Sequence, residues 1–182
     1  MDPIPWYTYP CIEFLNNLDL SKKNIFEYGS GNSSIYFLTK GAYVTSVEDD
    51  LDWFKKIKNY KEGHNLIFEE NKNEYISKVS IKNFDIVVID GSYRFECAKF
   101  TVSEIKSNKI SPSLIIFDNS DWYENSINLI DKELGWERVD FYGFGPINNY
   151  TWVTSIYFNP TNNLKKLSNN LVSMKGIRQN RD

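Results

Sequence analysis

Asn24-Ile-Phe-Glu-Tyr-Gly-Ser-Gly-Asn-Ser-Ser34 is the stretch on which the reading of this chain turns. A short apolar run ends in an acid, Glu27, turns on Gly29 and Gly31, and meets a helix-start signal at Asn32 to Ser34. The order predicts a buried strand, a tight turn and a helix N-terminus. Glycine has no side chain to hold a ligand away, so such a turn offers bare backbone N–H groups at close range. A second apolar run, Val44-Thr-Ser-Val-Glu48, ends in another acid. It lies about twenty residues on, where a βαβ unit grips a ribose hydroxyl. Together the two predict a site for a nucleoside-containing ligand.

Outward from this stretch, strand-like runs alternate with helix-like ones, the mark of a parallel α/β sheet. Strands are expected at 25–28, 43–48, 65–69, 84–90 and 114–118. Asp85-Ile-Val-Val-Ile-Asp90 and Leu114-Ile-Ile-Phe-Asp118 are nearly all apolar, so both sheet faces should be covered, as in a doubly wound fold. Amphipathic stretches fall around 33–39, 51–60, 75–79, 95–107 and 126–134. The alternation then breaks. Strand-like runs at 136–142 and 152–158 are joined by a turn-rich loop, Gly143-Phe-Gly-Pro-Ile-Asn-Asn149, with no helical pattern. That predicts a hairpin, and so a last strand antiparallel to the rest.

The bulk properties exclude several classes. A net charge of −3 and the absence of any basic run argue against a nucleic-acid surface. The crowded lysines of Lys55 to Lys61 follow Asp49, Asp50 and Asp52 and read as a solvated helix face. No run is long and apolar enough to span a bilayer, and Met1-Asp-Pro-Ile-Pro-Trp6 lacks the regions of a signal peptide. Cys11 and Cys97 have no metal-type spacing and read as small buried hydrophobes, so the expected compartment is a reducing cytoplasm.

The ordered set Glu27-x-Gly29-x-Gly31, Val47-Glu48, Ile89-Asp90-Gly91 and Phe117-Asp118-Asn119, closed by a hairpin, resembles class I S-adenosylmethionine-dependent methyltransferases. Pro5-Trp-Tyr-Thr-Tyr-Pro10, Phe26 to Ser34 and Thr151-Trp-Val-Thr-Ser155 are similar to a subgroup of small bacterial members. The resemblance implies a Rossmann-like, doubly wound sheet of seven strands, mostly parallel with the last antiparallel, in a domain over 1–160. Residues 1–20 would be an N-terminal lid or helix, and 161–182 a poorly ordered tail. It also implies roles. Gly29, Ser30 and Gly31 would pass under the methionine part of S-adenosylmethionine, and Glu27 would position its amino group. Glu48 would accept from the ribose hydroxyls, Glu69 or Glu70 would lie near the adenine, and Asp90 would close the cofactor site. Ser33 stands where the fuller fingerprint has a third glycine.

Asp90, Asp118 and Asn119 each end a strand and present hard oxygen ligands suited to Mg²⁺. The trio is similar to the metal set of catechol O-methyltransferase-like enzymes, where the ion holds two substrate oxygens. Two readings stand side by side, because Asp118-Asn-Ser120 is also a good turn and N-cap sequence. The lysine that follows the first metal-ligand aspartate in those enzymes is here Tyr93, with Arg94 next. Tyr93 is then the candidate catalytic proton acceptor beside Asp90, and Arg94 a candidate holder of an anionic substrate. His64 precedes a strand and is expected at the surface, away from the ligand rim.

Aromatic residues gather in the loops expected near that rim. Trp6, Tyr7 and Trp122 are assigned to the substrate side with Arg94, and Trp6 to Tyr9 as a lid. The favoured reading is methyl transfer to a hydroxyl of a small, sugar-like or aromatic acceptor, with no nucleic acid or membrane as partner. The aromatic hairpin could equally join two copies as a homodimer. A non-catalytic binding module with the same fold is the alternative. A nicotinamide-dependent oxidoreductase fits less well, since the third glycine and a substrate domain are missing.

Overall fold

The computed structural model describes residues 3–58 and 63–162. The expected tail lies outside them from position 163 on, as does the end of the helix expected to reach residue 60. In chain order the elements are α1 (Tyr9–Leu15), β1 (Asn24–Tyr28), α2 (Asn32–Thr39), β2 (Tyr43–Glu48), α3 (Leu51–Ile57), β3 (His64–Phe68) and α4 (Lys72–Ser77). They continue with β4 (Ile86–Ile89), α5 (Arg94–Lys106), β5 (Leu114–Asp118), α6 (Glu124–Leu134), β6 (Glu137–Gly143) and β7 (Trp152–Phe158).

All seven strands form one sheet in the order β3-β2-β1-β4-β5-β7-β6. β7 alone runs antiparallel, pairing with β5 on one side and β6 on the other. The expected hairpin is therefore present, and its second strand inserts between β5 and β6. β3, β2 and β1 lie on one side of the sheet and β4 onward on the other, so the order reverses between β1 and β4. Open α/β sheets bind ligands at the carboxyl ends of such strands.

Alternation along each strand divides two cores. Phe26, Tyr28, Val87, Ile89, Ile115 and Phe117 pack under residues of α4, α5 and α6. Ile25, Val44, Ile86, Val88, Leu114 and Ile116 pack under α1 and α2. Side chains two apart share a face. Glu27, Glu48, Asp90 and Asp118 therefore belong with the second set, at the carboxyl ends of four strands. The period of the sheet, applied to four short runs, brings four acids to one rim.

β1 and β4 approach so closely at this rim that glycine is required twice. Gly29 has φ +87°, and a Cβ on it would meet the Gly91 Cα at 2.8 Å. A Cβ on Gly91 would meet the Tyr75 hydroxyl at 2.2 Å and the Gly29 nitrogen at 2.5 Å.

The segment expected as a lid or helix carries α1, and the residues around its start are bonded to the β6–β7 hairpin. Thr8 N donates to Thr154 Oγ1 (3.1 Å), Thr8 Oγ1 to the Phe141 carbonyl (2.9 Å), and Tyr9 N to the Phe144 carbonyl (2.7 Å). These bonds pin it to the β6–β7 hairpin. Cys11 and Cys97 are both free and buried. Among the described residues no helix is long and apolar enough to cross a membrane.

Candidate active site

Two adjoining hollows lie over the carboxyl ends of β1, β2, β4 and β5. The larger, about 380 Å³, is lined by Trp6, Gly31, Trp53, Asp90, Asp118 and Trp122 among others. The smaller, about 210 Å³, lies over Gly29, Glu48, Asp49 and Gly91. Ser30, Ser33, Trp53 and Asp90 line both.

Glu27 is 1 % exposed and accepts hydrogen bonds from the Ser33 and Ser34 hydroxyls at the start of α2. Ser33 therefore departs from the third glycine to a purpose: its hydroxyl holds the acid. Ser46 Oγ donates to Glu27 Oε2 at 3.3 Å and lies 2.9 Å from His64 Nε2. Burial, against these hydroxyl bonds, pushes the Glu27 carboxyl up to about 8. His64, expected at the surface, is instead part of this chain of contacts, and burial holds it down to about 4.

Glu48 is the best-held acid of the rim. Oε2 accepts from the Ser30 amide (3.0 Å) and hydroxyl (3.0 Å), and Oε1 from the Asp49 (3.1 Å) and Asp50 (3.0 Å) amides. Four donors saturate a carboxylate. Three are fixed backbone amides, so the Ser30 hydroxyl is the one that a ligand hydroxyl can replace without unfolding the turn. Burial raises the Glu48 carboxyl above its ordinary value, against those bonds.

Trp53, which the sequence did not single out, covers the glycine turn. Its Nε1 donates to the Ser30 carbonyl at 2.5 Å, and its ring lies 5.9 Å from that of Trp6. The signal was there in outline. Asp50 caps α3 by accepting from Trp53 N (2.8 Å), which sets an aromatic in the first helical turn beside Gly31. The opposite wall is Trp122, Tyr150 and Trp152, with successive ring centroids 6.0 Å apart. Of the residues expected on the substrate side, Trp6 and Trp122 line this cleft. Tyr7 does not: it is fully buried, its hydroxyl has no partner among the described residues, and burial followed by the charges of Glu27, Asp90 and Asp118 raises its pKa.

Arg94 reaches all three residues of the expected metal trio. Arg94 Nη2 donates to Asp90 Oδ1 and to the Asp90 carbonyl, both at 2.9 Å. Nη1 donates to the Asp118 carbonyl (2.5 Å) and to Asn119 Oδ1 (3.0 Å), and Nε to the Gly91 carbonyl (3.1 Å). A guanidinium has five N–H groups, and here each has an acceptor on the protein. Two of the three side-chain oxygens expected to hold an ion, Asp90 Oδ1 and Asn119 Oδ1, thus accept from the guanidinium, while at Asp118 Arg94 reaches the backbone carbonyl and not the carboxylate. Among the described residues no group of three or more His, Cys, Asp and Glu side chains converges to hold a metal ion.

Asp118, 3 % exposed, accepts at Oδ1 from Thr154 Oγ1 (2.5 Å) and Trp152 Nε1 (3.1 Å). Burial and then the charge of Asp90 push its carboxyl up to about 8. Tyr93, the expected proton acceptor, does not line the cleft. Its ring lies 5.8 Å from that of Tyr75 with the Lys72 ammonium 5.0 Å from its centroid. Nor does Glu69, which is paired with Lys78 at 3.1 Å and accepts from Asn71 N.

Comparison with solved structures bears on the fold. Thermoplasma acidophilum 1320 superposes with a TM-score of 0.57 at 14 % identity, over 92 % of this chain and 93 % of its own. A methyltransferase from Pyrococcus furiosus gives 0.53 at 17 %, over 80 % and 79 %. The fold is the Rossmann-like methyltransferase fold. A mutant of MtNAS, solved in complex with S-adenosylmethionine, gives 0.52 at 14 % identity, over 77 % of this chain and 56 % of its own. No family model and no curated protein matches the sequence.

Proposed function

We propose that this protein transfers a methyl group from S-adenosylmethionine to a hydroxyl of a small, uncharged acceptor, sugar-like or aromatic. The carrying observation is the convergence of Glu27, Glu48, Asp90 and Asp118 on one rim where the strand order reverses, above a turn that tolerates no side chain at Gly29. Glu48 would accept from the ribose, with the ligand hydroxyl taking the place of Ser30 Oγ. Gly29, Ser30 and Gly31 would pass under the methionine part, and Glu27 would face its amino group. When bound, S-adenosylmethionine supplies a methyl on a positively charged sulfur, open to in-line displacement by an oxygen nucleophile.

The chain's own residues do the rest. Asp118, beside the cleft and held by Thr154 and Trp152, accepts in its ionised form the acceptor's hydroxyl proton as the new C–O bond forms and the S–CH₃ bond breaks, leaving a neutral thioether. A base whose pKa lies near the working pH is best suited to that transfer. Trp6 and Trp53 on one side, and Trp122, Tyr150 and Trp152 on the other, stack on the acceptor and keep water from the reacting oxygen. Arg94 is the one cation among the described residues that line the cleft, and its N–H groups are already bonded to the protein, which favours an uncharged acceptor. The test is transfer of labelled methyl from S-adenosylmethionine to a panel of neutral sugars, phenols and amines. The reading expects a methyl ether, lost in Asp118→Asn while S-adenosylhomocysteine still binds. Full turnover in Asp118→Asn would refute the role of Asp118. Labelling of amines alone would refute the hydroxyl acceptor.

A further inference from the structure

We infer that Arg94 is a resident cation in the position of a metal ion, so that the strand-end cluster of Asp90, Asp118 and Asn119 works without a divalent ion. The guanidinium spans the ends of β4 and β5 through five hydrogen bonds, to two side-chain oxygens and three backbone carbonyls. Backbone carbonyls, a carboxylate and an amide oxygen are the donors that a hard cation would take. Two left-handed residues build the arrangement. Tyr93 (φ +52°) turns the first residue of α5 back over the rim, and Asn119 (φ +54°) turns its amide oxygen inward from β5.

The placement runs against helix electrostatics. A positive charge at the N-terminus of α5 opposes the helix dipole, and it is offset here by Asp90 and the carbonyls. The Tyr123 ring, 4.9 Å from the guanidinium carbon, covers it as well. An arginine held this firmly differs from a metal in what it allows. It has no open coordination position, so it cannot chelate two neighbouring acceptor oxygens. The cluster instead keeps Asp118 at a fixed point beside the cleft, where a single hydroxyl meets it. Arg94 is in this sense a positioning residue. That last consequence rests on the proposed methyl transfer; the exclusion of a divalent ion does not.

Mn²⁺ titration followed by electron paramagnetic resonance tests the inference without any turnover. The wild-type protein should bind no Mn²⁺ at this cluster. Arg94→Ala should gain a site roughly tenfold tighter than anything seen in wild type, as expected on removing a like charge at ion-pair distance. Adding Asn119→Ala should remove that site again. A merely structural arginine would leave Mn²⁺ binding unmoved in a folded Arg94→Ala protein, and that result would overturn the inference. If Arg94→Ala does not fold, the wild-type titration decides: a one-to-one Mn²⁺ site abolished by Asn119→Ala overturns it, and its absence upholds it. Failure of S-adenosylhomocysteine binding would strike the methyl-transfer reading alone.

Discussion

Gly29 and Gly31 stand two residues apart in one turn, yet the structure assigns them different reasons to be glycine. At Gly29 an added methyl would lie 2.8 Å from the Gly91 Cα, in backbone that holds a φ of +87°. The left-handed conformation costs an L-residue about 1–2 kcal/mol, and overpacking against backbone about 1–3 kcal/mol more. At about 2–4 °C per kcal/mol for a chain of this size, Gly29→Ala should lower the melting temperature by roughly 5–15 °C. At Gly31 the same methyl would meet nothing nearer than the Trp53 ring at 3.7 Å. Its φ of 168° is extended backbone open to any residue. Gly31 caps α2, where alanine is poorer by up to about 1 kcal/mol, but alanine also restricts the unfolded chain by about 0.4–1 kcal/mol. Gly31→Ala should therefore melt within a few degrees of wild type. Under the proposed function the methyl would nevertheless crowd the turn over which the cofactor would lie, at about 1–3 kcal/mol of binding energy. Scanning fluorimetry paired with calorimetry of S-adenosylhomocysteine separates the two effects. Wild-type affinity in Gly31→Ala, or an unchanged melting temperature in Gly29→Ala, would refute this division of labour.

Further expectations concern the acids and the histidine. Glu48→Ala should weaken S-adenosylhomocysteine by about 1–3 kcal/mol, the range for stranding buried hydrogen-bonding partners, and unchanged affinity would remove Glu48 from the ribose site. Stability should fall as pH rises from 6.5 to 8. Glu27 and Asp118, raised from ordinary values of 4.5 and 3.8 to about 8, keep protons in the folded state that the unfolded chain has already released. His64, lowered from 6.5 to about 4, acts in the opposite sense but only below pH 6.5, where the unfolded chain binds the proton first. Glu27→Gln should flatten the decline in melting temperature between pH 6.5 and 8; an equally steep fall would place the titrating group elsewhere. Trp53→Phe should lose the bond to the Ser30 carbonyl and loosen the turn, weakening S-adenosylhomocysteine several-fold; wild-type binding would leave Trp53 as a cover only.

The acids could be found from sequence because the information that places them is local. Each ends an apolar run, and the period of two puts Glu27, Glu48, Asp90 and Asp118 on one face once the runs are strands. The hairpin was legible for the same reason, from a turn-rich loop with no helix between two strands. The insertion of β7 beside β5 was not, since pairing between distant strands leaves no mark in either run alone. The bonds of Arg94 to the strand ends are not legible in sequence, because its place depends on the left-handed turn at Tyr93, which carries the side chain back over the rim; spacing from Asp90 does not show that. Tyr93 was drawn to the site by the same spacing, and the same turn sends its ring to Tyr75. Ser33 looked like a defect in a glycine pattern until the structure set its hydroxyl against Glu27.

Titration calorimetry of S-adenosylhomocysteine, with NAD as the control ligand, bears most directly on the central claim. One-to-one binding of S-adenosylhomocysteine, none of NAD, and no change on adding Mg²⁺ or a chelator is the predicted result. Binding of NAD, or of neither ligand, would contradict it.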